Sequence, residues 1–517
     1  MNTPYYYGEP LRLGTGPQLL IDDALVEDRW RLTRRIHPPQ RHPRNPVVVI
    51  DQPWEGDYFN VPVVLWDQAY GKFRMWYGSL LNSDYRHHDL QRKYVLYAES
   101  SDGINWEKPL FDLHPYGEHR RTNIVYTGSF PGDPARYGAV CDQVFIDAAD
   151  PDPARRYKML TYEARPDSGV DAGRTAFRFA DKDLDKSPYT RGVNLAVSPD
   201  GIRWKLASDR HILDYNSDTS NNCTYDPQQQ RWLLYVRPKA MHASGLSPHQ
   251  PTPGFHPAGR HHSRRVSVMT SKDFVQWSYP RTCLYPDERD APDYDATSVF
   301  RCGSHFIMLY TAMDDDQDGT KDVRLASSVD GFHWTRFHSR APFIPRGRPG
   351  DFDAGQIARI SSAPPVRVGN KLYIYYQGAE QGQHLWQGTT AYGVVTTQAD
   401  RFVMQWAGDE PAWLITREFI LEGNRLRLNL WYPKSKDVEH SLKVAIVRHP
   451  PLGGHKGFKT ACEGFSLADC DVVKENGVEA LVTWRGQADL SALRGQPVYL
   501  RFELRNMGLF GFRTPVE

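Results

Sequence analysis

The sequence predicts an all-β chain: a five-bladed β-propeller followed by a C-terminal β-sandwich. Three observations carry that expectation. One string recurs: YAESSDGINW, ending at Trp106, returns as LAVSPDGIRW at Trp204, VMTSKDFVQW at Trp277, LASSVDGFHW at Trp334 and, worn, VVTTQADRFVMQW at Trp406. Ahead of each copy lies a hairpin-like pair of strands that opens on an aspartate. After residue 408 the recurrence stops, while the apolar–polar alternation of strands continues. Self-similarity at this scale marks a repeat architecture, and four short strands per repeat in five repeats fits a propeller better than a single sandwich.

Bulk properties narrow the function. At 517 residues the chain exceeds one ordinary core, so a large repeat domain with a smaller companion is expected. The 63 basic and 62 acidic residues leave a net charge of +1, which argues against an electrostatic nucleic-acid or membrane binder. No run approaches the ~18 apolar residues of a membrane helix. With 14 Trp and 28 Tyr the chain is rich in rings that suit strands and sugar-stacking surfaces. The six cysteines form no CxxC pair and no zinc spacing, so free thiols are expected, with a Cys462–Cys470 disulfide the alternative. The start, MNTPYYYGEPLRLGTGPQ, lacks a basic region followed by an apolar one, which gives an expectation of a cytoplasmic protein.

Taken in order, residues 1–50 read as a strand and a Pro- and Arg-rich arm, 51–408 as the propeller and 409–517 as the sandwich. The first hairpins of the repeats are GDYFNVPVVLWDQAYGKFRMWYGS, AVCDQVFIDAADPDPARRYKMLTYEA, SDTSNNCTYDPQQQRWLLYVR, DYDATSVFRCGSHFIMLYTAM and DFDAGQIARISSAPPVRVGNKLYIYYQGA. In each, a turn on Gly, Asp-Pro or Gly-Asn separates two strand-like runs. The SxDGxxW element then supplies a third strand, a tight Asp-Gly turn with its positive-φ positions, and a fourth strand whose Trp wedges between blades. These residues are therefore expected to be scaffold. Past residue 408, PAWLITREFILEGNRLRLNLWYP and its successors read as an antiparallel sandwich for packing or glycan contact.

The first strand of each repeat should line the channel, which gathers one acidic position per blade: Asp57, Asp142, Asp218, Asp293 or Asp295, and Asp351 or Asp353. Mutual repulsion in such a ring would raise some of their pKa values, as general acid work at neutral pH requires. Each Asp alone is equally an Asx-turn residue; several together favour function. Paired carboxylates are what glycosidic bond cleavage needs, one to protonate the leaving oxygen and one as base or nucleophile.

The WE-x-D-x-x-N segment before an MWY strand, the SxDGxxW hairpins, DFDAGQI before YIYYQGA and the trailing sandwich together resemble the five-bladed propeller glycosidases. That group spans the invertase-like family 32, the arabinanase-like family 43 and the levansucrase-like and mannoside-phosphorylase-like enzymes. The resemblance implies catalytic roles for Asp57 as nucleophile or base, Asp142 as the orienting group and Asp218 as proton donor. Here the third position is Asp where the invertase-like group has Glu, and Glu163 and Glu380 are alternative donors. Substrate contacts are expected at Trp54, Asn60, His87, Arg237, Asp295, Asp353, Glu380, His384 and Trp386. No cofactor is expected to be required; DDDQD at 314–318 reads as an exposed acidic loop, with a structural Ca²⁺ site the alternative. The expected partner is an oligosaccharide or glycoside. Phosphorolysis, with Arg237, Arg264 and Arg265 holding inorganic phosphate, and a non-catalytic carbohydrate-binding propeller are the alternatives.

Overall fold

A computed structural model describes residues 10–80, 93–128, 138–166, 189–208, 211–213, 217, 219–237, 264–314, 318–385, 389–433, 438–449 and 460–517. Among them the regular structure is strands with a few single-turn helices, and no helix is long and apolar enough to cross a membrane.

Five antiparallel blades follow one another. Blade I is Tyr58–Asp67, Lys72–Leu80, Lys93–Ser100 and Ile124–Tyr126; blade II is Val140–Ile146, Tyr157–Pro166, Tyr189–Ser198 and Lys205–Leu206. Blade III is Asn222–Asp226, Arg231–Val236, Val266–Ser271 and Arg281–Leu284, and blade IV is Asp293–Cys302, His305–Asp314, Thr320–Ser328 and Thr335–Arg336. Blade V has Gln356–Ile360, Lys371–Ala379 and Thr390–Gln398. The first strands touch in cyclic order, and that of blade V meets that of blade I, which closes the ring.

Blade V takes its outermost strand from the other end of the chain: Gln40 and Arg41 pair with Thr396 and Val395. The sequence expectation that the Trp406 copy supplies this strand is corrected here. Val403–Ala407, which carries Trp406, pairs with Leu32–Ile36 and with Gly508–Arg513 in the sandwich. That sandwich packs two sheets, one ordered Leu32–Ile36, Val403–Ala407, Gly508–Arg513, Arg427–Trp431 and Ala480–Leu481. The other runs Val26–Trp30, Ala412–Thr416, Pro497–Arg505, Ser441–Arg448 and Thr460–Ala461. Leu414, Leu428, Val444, Phe502, Leu504 and Leu509 fill the space between them. Cys462 and Cys470 are buried there and unbonded.

The recurrent motif is scaffold, by a different turn from the expected two-residue hairpin. In blade I the Asp102 carboxylate accepts the amides of Ile104 and Asn105, both at 2.8 Å, while Ser100 Oγ accepts that of Gly103 at 2.9 Å. Asp200, Asp273 and Asp330 accept the corresponding amides in blades II, III and IV. The Asp is thus the hub of a wider loop, because its side chain replaces the backbone bonds that a tight turn would make. The following position lies at positive φ: Gly103 at 75°, Gly201 at 77°, Gly331 at 77° and, in blade III, Phe274 at 61°. The glycine carbonyl bonds to the neighbouring blade: Tyr375 Oη donates to Gly103 at 2.8 Å, Trp76 Nε1 to Gly201 at 2.6 Å and Tyr235 Oη to Gly331 at 2.9 Å. The tryptophans pack edge-on against those same rings, Trp106 on Tyr375, Trp204 on Trp76 and Trp334 on Tyr235.

Candidate active site

Acidic side chains stand at or near the heads of the inner strands of blades I, II, IV and V. Asp57 stands one residue before its strand and is half-buried. Asp142, three residues into the blade II strand, is fully buried; its Oδ2 accepts the Asn221 amide at 2.6 Å, and its carbonyl accepts Ser362 of blade V. Gln143 next to it donates to the carbonyls of Cys223 and Ser362, both at 3.0 Å, so three blades meet at this point.

Among the described residues, Asp295 is the hub of a cluster of four cations. Arg237 Nη1 donates to its Oδ1 at 2.7 Å and to its carbonyl at 3.0 Å. Arg264, Lys321 and Arg359 pair with the same carboxylate. Burial pushes the Asp295 pKa up, but the charges of Arg359, Lys321, Arg264 and Arg237 outweigh it and hold the group well below the usual carboxylate range. The expected ring of mutually repelling acids with raised pKa values therefore does not describe Asp295; cations, not carboxylates, surround it. Burial has the opposite effect on its partner: the Lys321 amine, desolvated and only partly compensated by Asp295, is pushed down to about 7. Asp293, two residues earlier, accepts the Arg264 amide at 2.9 Å and the Arg265 guanidinium at 3.3 Å.

The structure joins Asp142 and Asp295 in one network. Asn221, which holds Asp142, accepts from Ser217 Oγ; Ser217 Oγ accepts the Arg237 amide at 2.8 Å; and Arg237 reaches Asp295. Thr219 adds a bond to the Asp295 carbonyl at 2.7 Å. Asp218 lies outside the described residues, as do His87 and Trp386.

The other expected residues belong to blades I, II and V and the segments that flank them. Asp353, at the head of blade V, is fully buried between Arg41 and the Tyr376 hydroxyl, the latter at 2.7 Å. Asn60 uses its side-chain oxygen on the Val61 amide at 2.9 Å, and its carbonyl accepts Tyr392 Oη at 2.8 Å. Trp54 is interior, only 4% exposed, with its indole N–H on Asn123 Oδ1 at 2.6 Å, so its ring faces protein. Glu380 is exposed beyond the second strand of blade V, and His384 lies half-buried against Gly319, its amide bonded to the Asp318 carbonyl at 3.0 Å. Glu163 is buried, with Thr161 Oγ1 at 2.7 Å and Tyr126 Oη at 3.1 Å. Residues 315–317 of the DDDQD segment are outside the described residues, and among the described residues no cluster of three His, Cys, Asp or Glu is placed to hold a metal ion.

Sequence reasoning missed Lys321, Arg359 and Asn221. The available signal was a charged side chain in the middle of strands that the repeat buries, TKDVRLASS and QIARI, where an unpaired charge is costly and a partner is required.

No protein-family model matches the sequence, and no curated protein matches it significantly. Solved structures similar to it include an N-acetylgalactosamine deacetylase from F. plautii in complex with blood group B trisaccharide. That structure is 14% identical over 72% of this chain and 97% of its own, with a TM-score of 0.43. A glycosyl hydrolase from Bacteroides ovatus is 13% identical over 71% of this chain and 95% of its own, with a TM-score of 0.44. A fructofuranosidase from Schwanniomyces occidentalis complexed with fructosylnystose is 10% identical over 91% of this chain and 98% of its own, with a TM-score of 0.42.

Proposed function

We propose that the protein cleaves or transfers a glycosidic bond of an oligosaccharide, using carboxylates at the heads of the inner strands. The observation that carries this reading is the contrast between two of those carboxylates. Asp57 is half-buried at a strand head, while Asp142 is sealed in a hydrogen-bond network with Asn221. A group that meets substrate as nucleophile or base needs access, and a group that orients its neighbours needs fixed partners. Asp57 is assigned the first role, Asp142 the second, and Asp218 the proton donor. His384, against the Asp318–Gly319 turn, and the exposed Glu380 are assigned to the substrate's hydroxyls.

A second reading is favoured by the convergence of Arg237, Arg264, Lys321 and Arg359 on Asp295. Guanidinium groups bind phosphate well, so a phosphorylase using inorganic phosphate in place of water fits this cluster. A panel of 4-nitrophenyl glycosides and oligosaccharides, assayed with and without phosphate, separates the two. Turnover without phosphate supports hydrolysis or transfer; turnover that depends on phosphate supports the second reading. Sugar binding without turnover under either condition leaves a carbohydrate-binding propeller. Asp57→Asn is expected to lower kcat by roughly 10²–10⁴-fold with little change in the unfolding midpoint. Full activity in that variant refutes the role assigned to Asp57.

A further inference from the structure

The recurrent motif reaches the site through its tail. Two residues beyond the motif tryptophan, blade I has Lys108 and blade IV has Arg336, whereas blades II and III have the uncharged Leu206 and Tyr279. Lys108 Nζ lies 2.7 Å from Glu55 Oε1 and 2.9 Å from its Oε2. Glu55 is fully buried and also accepts the amides of Asp51 at 2.9 Å and Gln52 at 3.0 Å and the Tyr77 hydroxyl at 2.6 Å. Asn123 ties that hydroxyl to Trp54, donating to Tyr77 Oη at 2.8 Å and accepting the indole N–H at 2.6 Å. Only Gly56, at φ 67°, separates Glu55 from Asp57.

Blade IV repeats the device. Arg336 pairs with Asp290, whose side chain is 0% exposed, and Arg340 Nε adds a bond to it at 2.9 Å. Asp290 stands three residues before Asp293, and Arg336 Nη1 also donates to Tyr294 Oη at 2.9 Å. In both blades a buried acid just ahead of the strand head is gripped by the basic residue two places past the motif tryptophan. A packing need common to every blade would put a base at that place in blades II and III as well. The device occurs in the blades that carry Asp57 and the Asp293–Asp295 pair, while in blade II Asp142 is held by Asn221 instead.

We infer that Glu55–Lys108 and Asp290–Arg336 are matched latches that fix the strand heads bearing Asp57 and Asp295, which makes these four side chains positioning residues of the site. The inference rests on the reading of Asp57 as the group that meets substrate. A buried carboxylate with four donors has one low-energy arrangement, so Gly56 beside it inherits a single direction. Small displacements of a reacting group are costly in rate.

The test uses the full chain. Lys108→Met alone leaves a buried unpaired carboxylate that endangers folding, so the double variant Glu55→Gln with Lys108→Met, which removes both charges together, is compared with Lys108→Arg. On whichever 4-nitrophenyl glycoside the wild type turns over, the double variant is expected to lose kcat by about tenfold or more with KM held within about twofold, and Lys108→Arg to retain most of it. Amide hydrogen exchange across residues 51–61 should accelerate by about tenfold in the double variant and stay as in the wild type over the sandwich. That exchange readout needs no substrate. Unchanged exchange at 51–61 overturns the latch. Full turnover in the double variant beside an inactive Asp57→Asn overturns the positioning role alone. Turnover retained by Asp57→Asn overturns the reading of the site and the positioning role with it.

Discussion

Asp295→Asn keeps the shape of the side chain and removes one negative charge from among Arg237, Arg264, Lys321 and Arg359. Arg237 and Lys321 are 2% and 1% exposed, so solvent does not replace the carboxylate for them. Arg264 and Arg359, at 24% and 13%, rehydrate in part. Removing one partner of a buried ion pair costs about 3–5 kcal/mol, and that is the loss expected at pH 6. Lys321 makes the loss pH-dependent. Its pKa is already pushed down to about 7, by burial first and against the raising effect of Asp295; without Asp295 it falls further. The amine then sheds its proton near neutrality, whereas the guanidinium groups stay charged. The cost of Asp295→Asn should therefore be smaller at pH 8 than at pH 6. In the wild type the sign is set by the same group: a lysine whose folded pKa lies below its unfolded one binds fewer protons when folded, so stability rises with pH between about 7 and 10.5. Urea titrations at pH 6 and pH 8, followed by near-ultraviolet circular dichroism, measure both effects. A loss under about 1 kcal/mol at both pH values, or a larger loss at pH 8, refutes the reasoning.

The motif turns and the N-terminal segment make separate predictions. Gly331→Ala places a Cβ 2.5 Å from Leu233 Cδ1 and 2.9 Å from Tyr235 Oη at φ +77°, and should cost about 2–3 kcal/mol in urea unfolding. Tyr235→Phe, which removes only the bond to the Gly331 carbonyl, should cost about 1 kcal/mol, and equal losses in the two variants would refute the steric account. Asp22 links the N-terminal segment to blade IV through His305 and Ser327. Burial raises its pKa, but His305, Ser327 and the Ala24 amide outweigh that and hold it at about 2 against an ordinary 3.8. A depressed carboxylate stabilises the fold above its unfolded pKa and loses that contribution as pH falls from about 4 to 2, here about 2 kcal/mol. Asp22→Asn should flatten the acid limb of the stability curve over that window, and an unchanged limb means the link carries no stability.

What was legible in the sequence was local and periodic. The Ser, Asp, Gly and Trp of the motifs in blades I, II and IV bond within the motif or pack on the blade next door, so each of these copies records its own structure. The outermost strand of blade V left no such record. Gln40 and Arg41 meet Thr396 and Val395 across the whole chain, and two residues carry no periodicity to read. The Asp295 cluster was hidden for a related reason: Arg237, Lys321 and Arg359 come from blades III, IV and V, and register alone decides that they converge.

The latches stand between these cases. Comparing the copies as scaffold draws attention to what they share, and by that measure Lys108 and Arg336 are unremarked flanking residues. Comparing them for what they do not share isolates a base after WE in blade I and after WT in blade IV. The hairpins of those same two blades carry an extra acid two or three places ahead of the strand head, Glu55 and Asp290. A buried acid without a cation is costly, so the presence of both in the same two blades is a pairing constraint written in sequence. The repeat loses its symmetry at these two blades, and there the tail of the motif is bonded to an acid just ahead of the strand head.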